Sequence, residues 1–427
     1  MTLQDLLDPV IDASFKGFPH GQAPLRRSRI GEQGWNILRG DLPLPVAVIK
    51  AEALQHNLNW MQRFATERGL ELAPHGKTTL SPQLFARQLA AGAWGMTVAN
   101  PAQARLAIHA GARRCLIANQ VFQPIDLQCV AEMVAGQPGL RLPFLLDSEA
   151  QLELIEAWHG RQPGAGAFEV LLEIGVAGGR TGCRSEAQAL SLARRAHQSA
   201  ALRLVGVECY EGLGASARSE DDAAYAQDLM DRVCAIARGC DQLRYFDADE
   251  VLVSAGGSAI FDLVALHLRP VLRCRVTGIL RSGCYITHDH GQYRRMLSSV
   301  ALRLGCTDTL HAALEVWTAV QSLPEPGLAI LTAGKRDISY DLELPIPLAR
   351  CRRGASIPSP VGSDWRVRSL NDQHAYLCWG AEPDPALAVG DLVALGVSHP
   401  CTTFDKWRWM PVVDQYYNVC DAIVTCF

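Results

Sequence analysis

A chain of 427 residues that is 48% apolar can bury a large core, in about two domains. Its 40 basic and 44 acidic residues give a formal charge of −4, which argues against nucleic acid or an anionic membrane as partner, since both favour a basic stripe. The opening "MTLQDLLDPVIDASF" has acids where a signal peptide needs bases, and no run reaches the ~18 apolar residues of a membrane helix, so a soluble, cytoplasmic protein is expected.

From about residue 44 a short apolar run, a polar or glycine-containing turn and a helix-length amphipathic segment repeat, the pattern of βα units. The predicted strands are "VAVI" (46–49), "ELAP" (71–74), "WGMTV" (94–98), "CLIA" (115–118), "LPFLLD" (142–147), "FEVLLEIG" (168–175), "RLVGVEC" (203–209) and "VLVS" (251–254). Helical stretches between them include "AEALQHNLNWMQRFATERG" and "SEAQALSLARRAHQSA", the second opening on Ser185 as an N-cap. Eight such units predict a (β/α)8 barrel over residues 44–270 rather than an open doubly wound sheet. Beyond residue 270, short alternating runs such as "VLRCRVTGIL", "LAILTAGK" and "DLVALGVS" predict a mostly antiparallel β domain over 271–427, with segment 1–43 packed against it. No low-complexity linker separates the two, and a cleft between them is the expected ligand site. The fourteen cysteines are scattered without a C-x-x-C pair and read as reduced, mostly buried thiols.

Working residues of such a barrel sit at the C-terminal ends of its strands. Lys77, in "APHGKTTLSP", follows the second predicted strand; Arg180, in "GVAGGRTGCR", the sixth; and Tyr210, in "CYEGLGA", the seventh. After the eighth comes "SAGGSAIF", whose Ser254, Gly256, Gly257 and Ser258 are small enough to turn backbone N–H groups towards an anion. Singly, each has a plain explanation: a solvated lysine, an arginine closing a loop, an ordinary glycine turn. Together, a phosphate cradle after the last strand and a lysine across the barrel mouth suit pyridoxal 5'-phosphate held as a Schiff base.

Near the C-terminus, His399 and Cys401 follow the strand-like "DLVALGV". In extended chain, residues two apart share a face, so the pair could hold one metal, and nitrogen plus thiolate suits zinc, with positions left open as in catalytic sites. The alternative is a buried cysteine beside a hydrogen-bonded histidine. The histidines of "THDHG" (287–291) read as surface residues or as residues behind the site.

The run "PHGKT", then "QLAAGAWGMTVANPAQARLAIHAGARRCLIANQ", "GGRTG", "CYEG", "SAGGS", "LRSGCY" and "HPC", resembles the fold-type III pyridoxal-phosphate enzymes of the D-serine dehydratase and D-threonine aldolase family, from about residue 44 to the C-terminus. The resemblance implies an alanine racemase-like (β/α)8 barrel with a C-terminal β domain, and a homodimer. It makes Lys77 the Schiff-base lysine and sets Arg180 against the pyridine nitrogen. Tyr210, Ser254, Gly256, Gly257 and Ser258 would hold the cofactor, mostly its phosphate, and His399 and Cys401 would bind Zn2+. Tyr285 matches a tyrosine near the active site in this fold, and His75, two residues before Lys77, would line the site. The aldolase branch usually has an acid where Cys401 stands.

The reaction expected from this reading is dehydration and deamination of a β-hydroxy D-amino acid such as D-serine to a 2-oxo acid and ammonia. Retro-aldol cleavage to glycine and an aldehyde is the closest rival. Racemisation would need a base on each cofactor face, and a non-catalytic pyridoxal-phosphate-binding protein would lack the β domain. The aromatic tail "TTFDKWRWMPVVDQYYNVCDAIVTCF" is expected mainly to pack the β domain.

Overall fold

The computed structural model describes residues 2–380 and 387–427. Eight parallel strands, Glu71–Leu72, Met96–Val98, Cys115–Gln120, Phe144–Leu146, Phe168–Ile174, Leu202–Cys209, Glu250–Ala255 and Arg275–Leu280, form one sheet in which the first strand pairs with the eighth. The first and second strands are joined by the His75 to Thr97 bridge and by the Trp94 N–H donating to the Leu72 carbonyl, 2.8 Å. Ala73, Trp94, Leu116, Leu145, Leu171, Val205, Leu252 and Ile279 form one buried interior cluster. Each strand, or a residue within two positions of it, gives one of them, which is how a closed barrel fills its centre. The helix Glu186–Gln198 starts on Ser185, whose side chain accepts the Gln188 N–H.

The barrel strands differ from the predicted set at both ends. "VAVI" lies in the strand Val46–Lys50, which pairs antiparallel with Leu314–Glu325 and parallel with Trp409–Val413 in the β domain. Val46 and Val48 face one core, while Ala47 and Ile49 face the other. Burial on both faces makes the run continuously apolar, which reads like a parallel barrel strand. The eighth barrel strand is Arg275–Leu280, part of the run "VLRCRVTGIL" expected in the β domain; its first residues alternate polar and apolar, and only the short helix Phe261–Ala265 precedes it. The boundary near residue 270 therefore falls inside the barrel. Lys77 follows the first strand, Arg180 the fifth, Tyr210 the sixth and "GGS" the seventh.

In the β domain, Leu314–Glu325 is central and pairs with Val46–Lys50, Leu328–Leu331 and Leu392–Gly396, all antiparallel. The N-terminal segment covers one face of this sheet, with Ile11, Phe18, Ile30 and Ile37 buried against Trp317 and Trp409. The C-terminal tail also packs: Trp407 and Trp409 are fully buried, and the Cys426 N–H donates to the Leu80 carbonyl, 2.9 Å, beneath the lysine turn. None of the fourteen cysteines forms a disulfide, and most are buried. No helix among the described residues is long and apolar enough to cross a membrane.

Candidate active site

The C-terminal ends of the barrel strands and the β domain enclose a cavity of about 380 Å³ that Lys77, His75, Arg180, Tyr210, Gly256, Gly257, Ser258, His399 and Cys401 all line. The lysine is presented by a single 3-10 turn, Gly76–Thr78, for which the His75 ring accepts the Lys77 N–H at 3.4 Å. Gly76 is required there, because a Cβ would lie 2.6 Å from the Phe85 ring. No acceptor or carboxylate among the described residues engages the Lys77 amine. Burial, then the charges of Lys77, Arg281 and Arg180, holds the His75 imidazole well below its usual range, so it is neutral. The Arg180 guanidinium lies over the Tyr210 ring, 5.0 Å from its centre.

The cradle differs from its predicted form. The Gly256 and Gly257 N–H groups donate to the buried Glu211 carboxylate at 3.0 and 2.6 Å, so they are committed within the protein. Burial raises the Glu211 pKa, against the pull of these bonds. Ser258 and Gly283 are the cradle residues whose backbone N–H groups donate to no acceptor among the described residues. They lie after the seventh and eighth strands, the usual place for a phosphate on this fold. Glycine is needed at position 256, where a Cβ would meet the Arg281 guanidinium at 2.7 Å, and at 283, where it would meet the His75 carbonyl at 2.5 Å.

Two predicted cofactor residues do not line the cavity. Ser254 is buried within the seventh strand and its hydroxyl donates to the Ile279 carbonyl, 3.1 Å. Tyr285 turns away into the core, where its hydroxyl accepts from Gln88 Nε2, 3.1 Å. Lys77 is also two strands round the rim from the glycine turn, not across the mouth from it.

Beneath the cavity lies an ion pair that sequence reasoning missed. Glu208 and Arg281, both buried, are in direct contact, and Arg281 also donates to the Cys209 carbonyl at 2.9 Å. Glu208 Oε1 and Arg281 Nε have no partner among the described residues. Burial drives the Glu208 pKa up, and Arg281 only partly offsets it. The signal was available in "LRSGCY": an arginine that ends an apolar barrel strand faces the mouth.

At the β-domain side, His399 and Cys401 do share the cavity, but not through extended chain. Pro400 is helical and Cys401 opens the short helix Cys401–Phe404. The His399 Nδ1 bonds to Asp341 Oδ2 at 2.6 Å, and Thr402 Oγ1 donates to Asp341 Oδ1 at 2.6 Å. This fixes the ring so that Nε2 is the free ligand atom, the usual support for a metal-bound histidine. Burial alone would raise Asp341; these hydrogen bonds and the His399 charge hold it below its ordinary value. A hydrogen bond with Cys401 raises His399 to about 9, and one from Cys284 is the largest cause lowering Cys401 well below the usual thiol range. Cys284 Sγ lies 3.6 Å from Cys401 Sγ, and Thr78 Oγ1 is 3.7 and 3.5 Å from the two sulfurs.

Of the "THDHG" residues, Thr287, His288 and Asp289 are buried and His290 is half-buried, so they lie behind the site rather than at the surface, and Asp289 accepts the N–H groups of Gly291, Tyr293 and Arg294 to start the helix Gln292–Leu304. A second group, His56, Asp308 and His311, brings three ligand atoms together. Its imidazole rings stack 4.0 Å apart and 5° from parallel, so their lone pairs do not converge, and His56 Nε2 already meets the Thr309 carbonyl at 2.7 Å.

The alanine racemase N-terminal domain model matches residues 49–274, and the putative serine dehydratase domain model residues 313–413. A D-threo-3-hydroxyaspartate dehydratase of Delftia sp. (strain HT23) is 30% identical over 70% of this chain and 73% of its own. A D-threonine aldolase of Arthrobacter sp is 25% identical over 86% and 88%. The crystal structure of D-threonine aldolase from Filomicrobium marinum shares the fold, with a TM-score of 0.76 at 23% identity, over 93% of this chain and 98% of that one. With its barrel, its cavity-facing lysine and both matching domains, the chain belongs to the fold-type III pyridoxal-phosphate enzymes of the D-serine dehydratase/D-threonine aldolase family.

Proposed function

We propose that the protein is a pyridoxal-phosphate- and zinc-dependent dehydratase of a β-hydroxy D-amino acid such as D-serine, releasing a 2-oxo acid and ammonia. The residues present fit both groups. Pyridoxal phosphate suits a cavity with a partner-free lysine, a permanent cation at Arg180, and two unengaged N–H groups in a cradle that side chains at 256 and 283 would fill. Zinc suits an imidazole oriented by a carboxylate beside a thiolate. When bound, pyridoxal phosphate supplies the electron sink for charge left at Cα. Zinc supplies Lewis acidity at the side-chain end of the substrate.

Lys77 would hold the cofactor and carry the Cα proton, as the one amine facing the cavity. Arg180 would face the pyridine nitrogen and donate to it. Ser258 and Gly283 would cradle the phosphate through their amides. Neutral His75 keeps the lysine turn in place without adding positive charge next to it. Loss of water from D-serine gives an enamine that hydrolyses in solution to pyruvate and ammonia.

The observation that carries dehydration over cleavage is the lining around His399 and Cys401, which includes Leu342, Gln292 and Tyr293. The two carboxylates that line the cavity are engaged elsewhere: Glu173 accepts from Thr181, 2.6 Å, and from Gln120, while Glu208 pairs with Arg281. Retro-aldol cleavage must take a proton from the β-hydroxyl, and among the described residues no free carboxylate lines that wall to receive it; dehydration must instead help hydroxide leave. The aldolase relative keeps cleavage as the second reading. Incubating the holoenzyme with D-serine and with D-threonine and identifying products decides between them. Pyruvate and 2-oxobutanoate are expected; glycine with acetaldehyde from D-threonine, and no 2-oxobutanoate, would overturn dehydration.

A further inference from the structure

We propose that Cys284 is a third protein ligand of the metal, giving a set of one imidazole and two thiolates with one position left for substrate; this rests on the zinc reading above. With Zn–S bonds of about 2.3 Å, two sulfurs 3.6 Å apart subtend roughly 100° at the metal, close to the tetrahedral angle. The Cys284 to Cys401 separation, a sulfur–sulfur hydrogen bond in this structure, therefore also fits a shared zinc. A disulfide would need the sulfurs to close to about 2.05 Å.

Cys284 is held there by backbone. It opens the 3-10 turn Cys284–Ile286, the Ser282 hydroxyl donates to the Gly257 carbonyl at 2.6 Å, and the His288 N–H donates to the Cys284 carbonyl at 2.7 Å. Gly283 packs so tightly on His75 that the preceding chain has no room to shift. Cys284 and Cys401 both line the cavity, and Thr78 Oγ1 lies within hydrogen-bond reach of both sulfurs, where its one hydrogen can turn to a metal-bound thiolate. Cys209, a buried thiol without such surroundings, instead packs on Met230, 3.7 Å between sulfurs. His399, its ring held through Nδ1 by Asp341, supplies the third ligand; its nitrogens and the two sulfurs do not all lie within 4.8 Å of one another, so the set closes by approach of the His399 side chain as the metal binds. Cys284, the sulfur that carries the proton in the Cys284 to Cys401 contact, releases it to solvent on joining the metal. Two thiolates cancel the charge of a divalent ion and favour zinc over manganese or magnesium.

The test is zinc K-edge X-ray absorption and competitive zinc titration on the reduced holoenzyme, comparing wild type with Cys284→Ala and Cys284→Ser. Two sulfurs per zinc are expected in wild type, one in each variant, with zinc affinity at least about tenfold weaker and the cofactor absorbance band unchanged as a check on folding. One sulfur per zinc in wild type, or variants that bind zinc as tightly, would overturn the Cys284 assignment alone. A wild-type protein that takes up no zinc would sink the zinc reading and this assignment with it.

Discussion

The cofactor side and the metal side of the cavity are built in opposite ways. The cofactor side comes from neighbouring strand ends of one barrel, and its buried charges are paired locally, Glu211 with Gly256 and Gly257, Arg281 with Glu208. The metal side brings together residues from the barrel, Thr78 and Cys284, and from the β domain, Asp341 and 399–401, whose side chains contact one another directly. The first is a rigid property of the fold, and the second depends on each contributor. Substitutions should accordingly damage cofactor and stability together on one side, and metal alone on the other.

The largest effect is expected from Lys77→Ala, which should lower turnover by about 10³-fold or more and abolish the absorbance of bound pyridoxal phosphate while leaving zinc content near wild type. Loss of zinc in that variant would show that the two sides are not separable. Next, Glu208→Leu strands the buried Arg281 charge. It should cost about 3–5 kcal/mol of stability, read by denaturant unfolding, with weaker cofactor retention. A variant as stable as wild type would mean that the pair is dispensable for the barrel floor.

Asp341→Asn should weaken zinc binding by about 10–100-fold, measured by competition with a chelating dye, with the cofactor band intact. The smallest effect is a pH dependence. Because His399 is raised to about 9, protons compete with the metal below that pH, so zinc affinity should climb as pH rises towards it, by roughly tenfold per unit for each proton displaced. A flat profile would show that His399 does not give up a proton to bind zinc.

The same contrast governs what could be read from the sequence. Lys77, Arg180, Tyr210 and the glycine turn were legible because each lies in a short motif just after a barrel strand, where the fold itself puts side chains at the mouth. Glu211 was quoted within "CYEG" but its role was not, since which amides a carboxylate takes depends on a loop forty-five residues on. Within "LRSGCY" the tyrosine was singled out, yet it is the residue that points into the core, while Arg281, Gly283 and Cys284 face the cavity. Had Arg275–Leu280 been read as the eighth strand, the residues at its end would have been the natural candidates. Asp341 carried no local signal at all, because its partner lies fifty-eight residues away.

The strand Val46–Lys50 has a further consequence. The chain visits the β domain there before entering the barrel, and returns to it only after the eighth barrel strand is in place. Neither half can be cut out by a single break. Ending the chain at residue 270 would leave the first and seventh strands with bare edges, and starting it after residue 50 would strip the central β-domain strand of a neighbour. Synthesis from the N-terminus must therefore hold an unpaired, doubly apolar strand until residues 314–317 emerge, and that interval is when the nascent protein is most exposed to self-association.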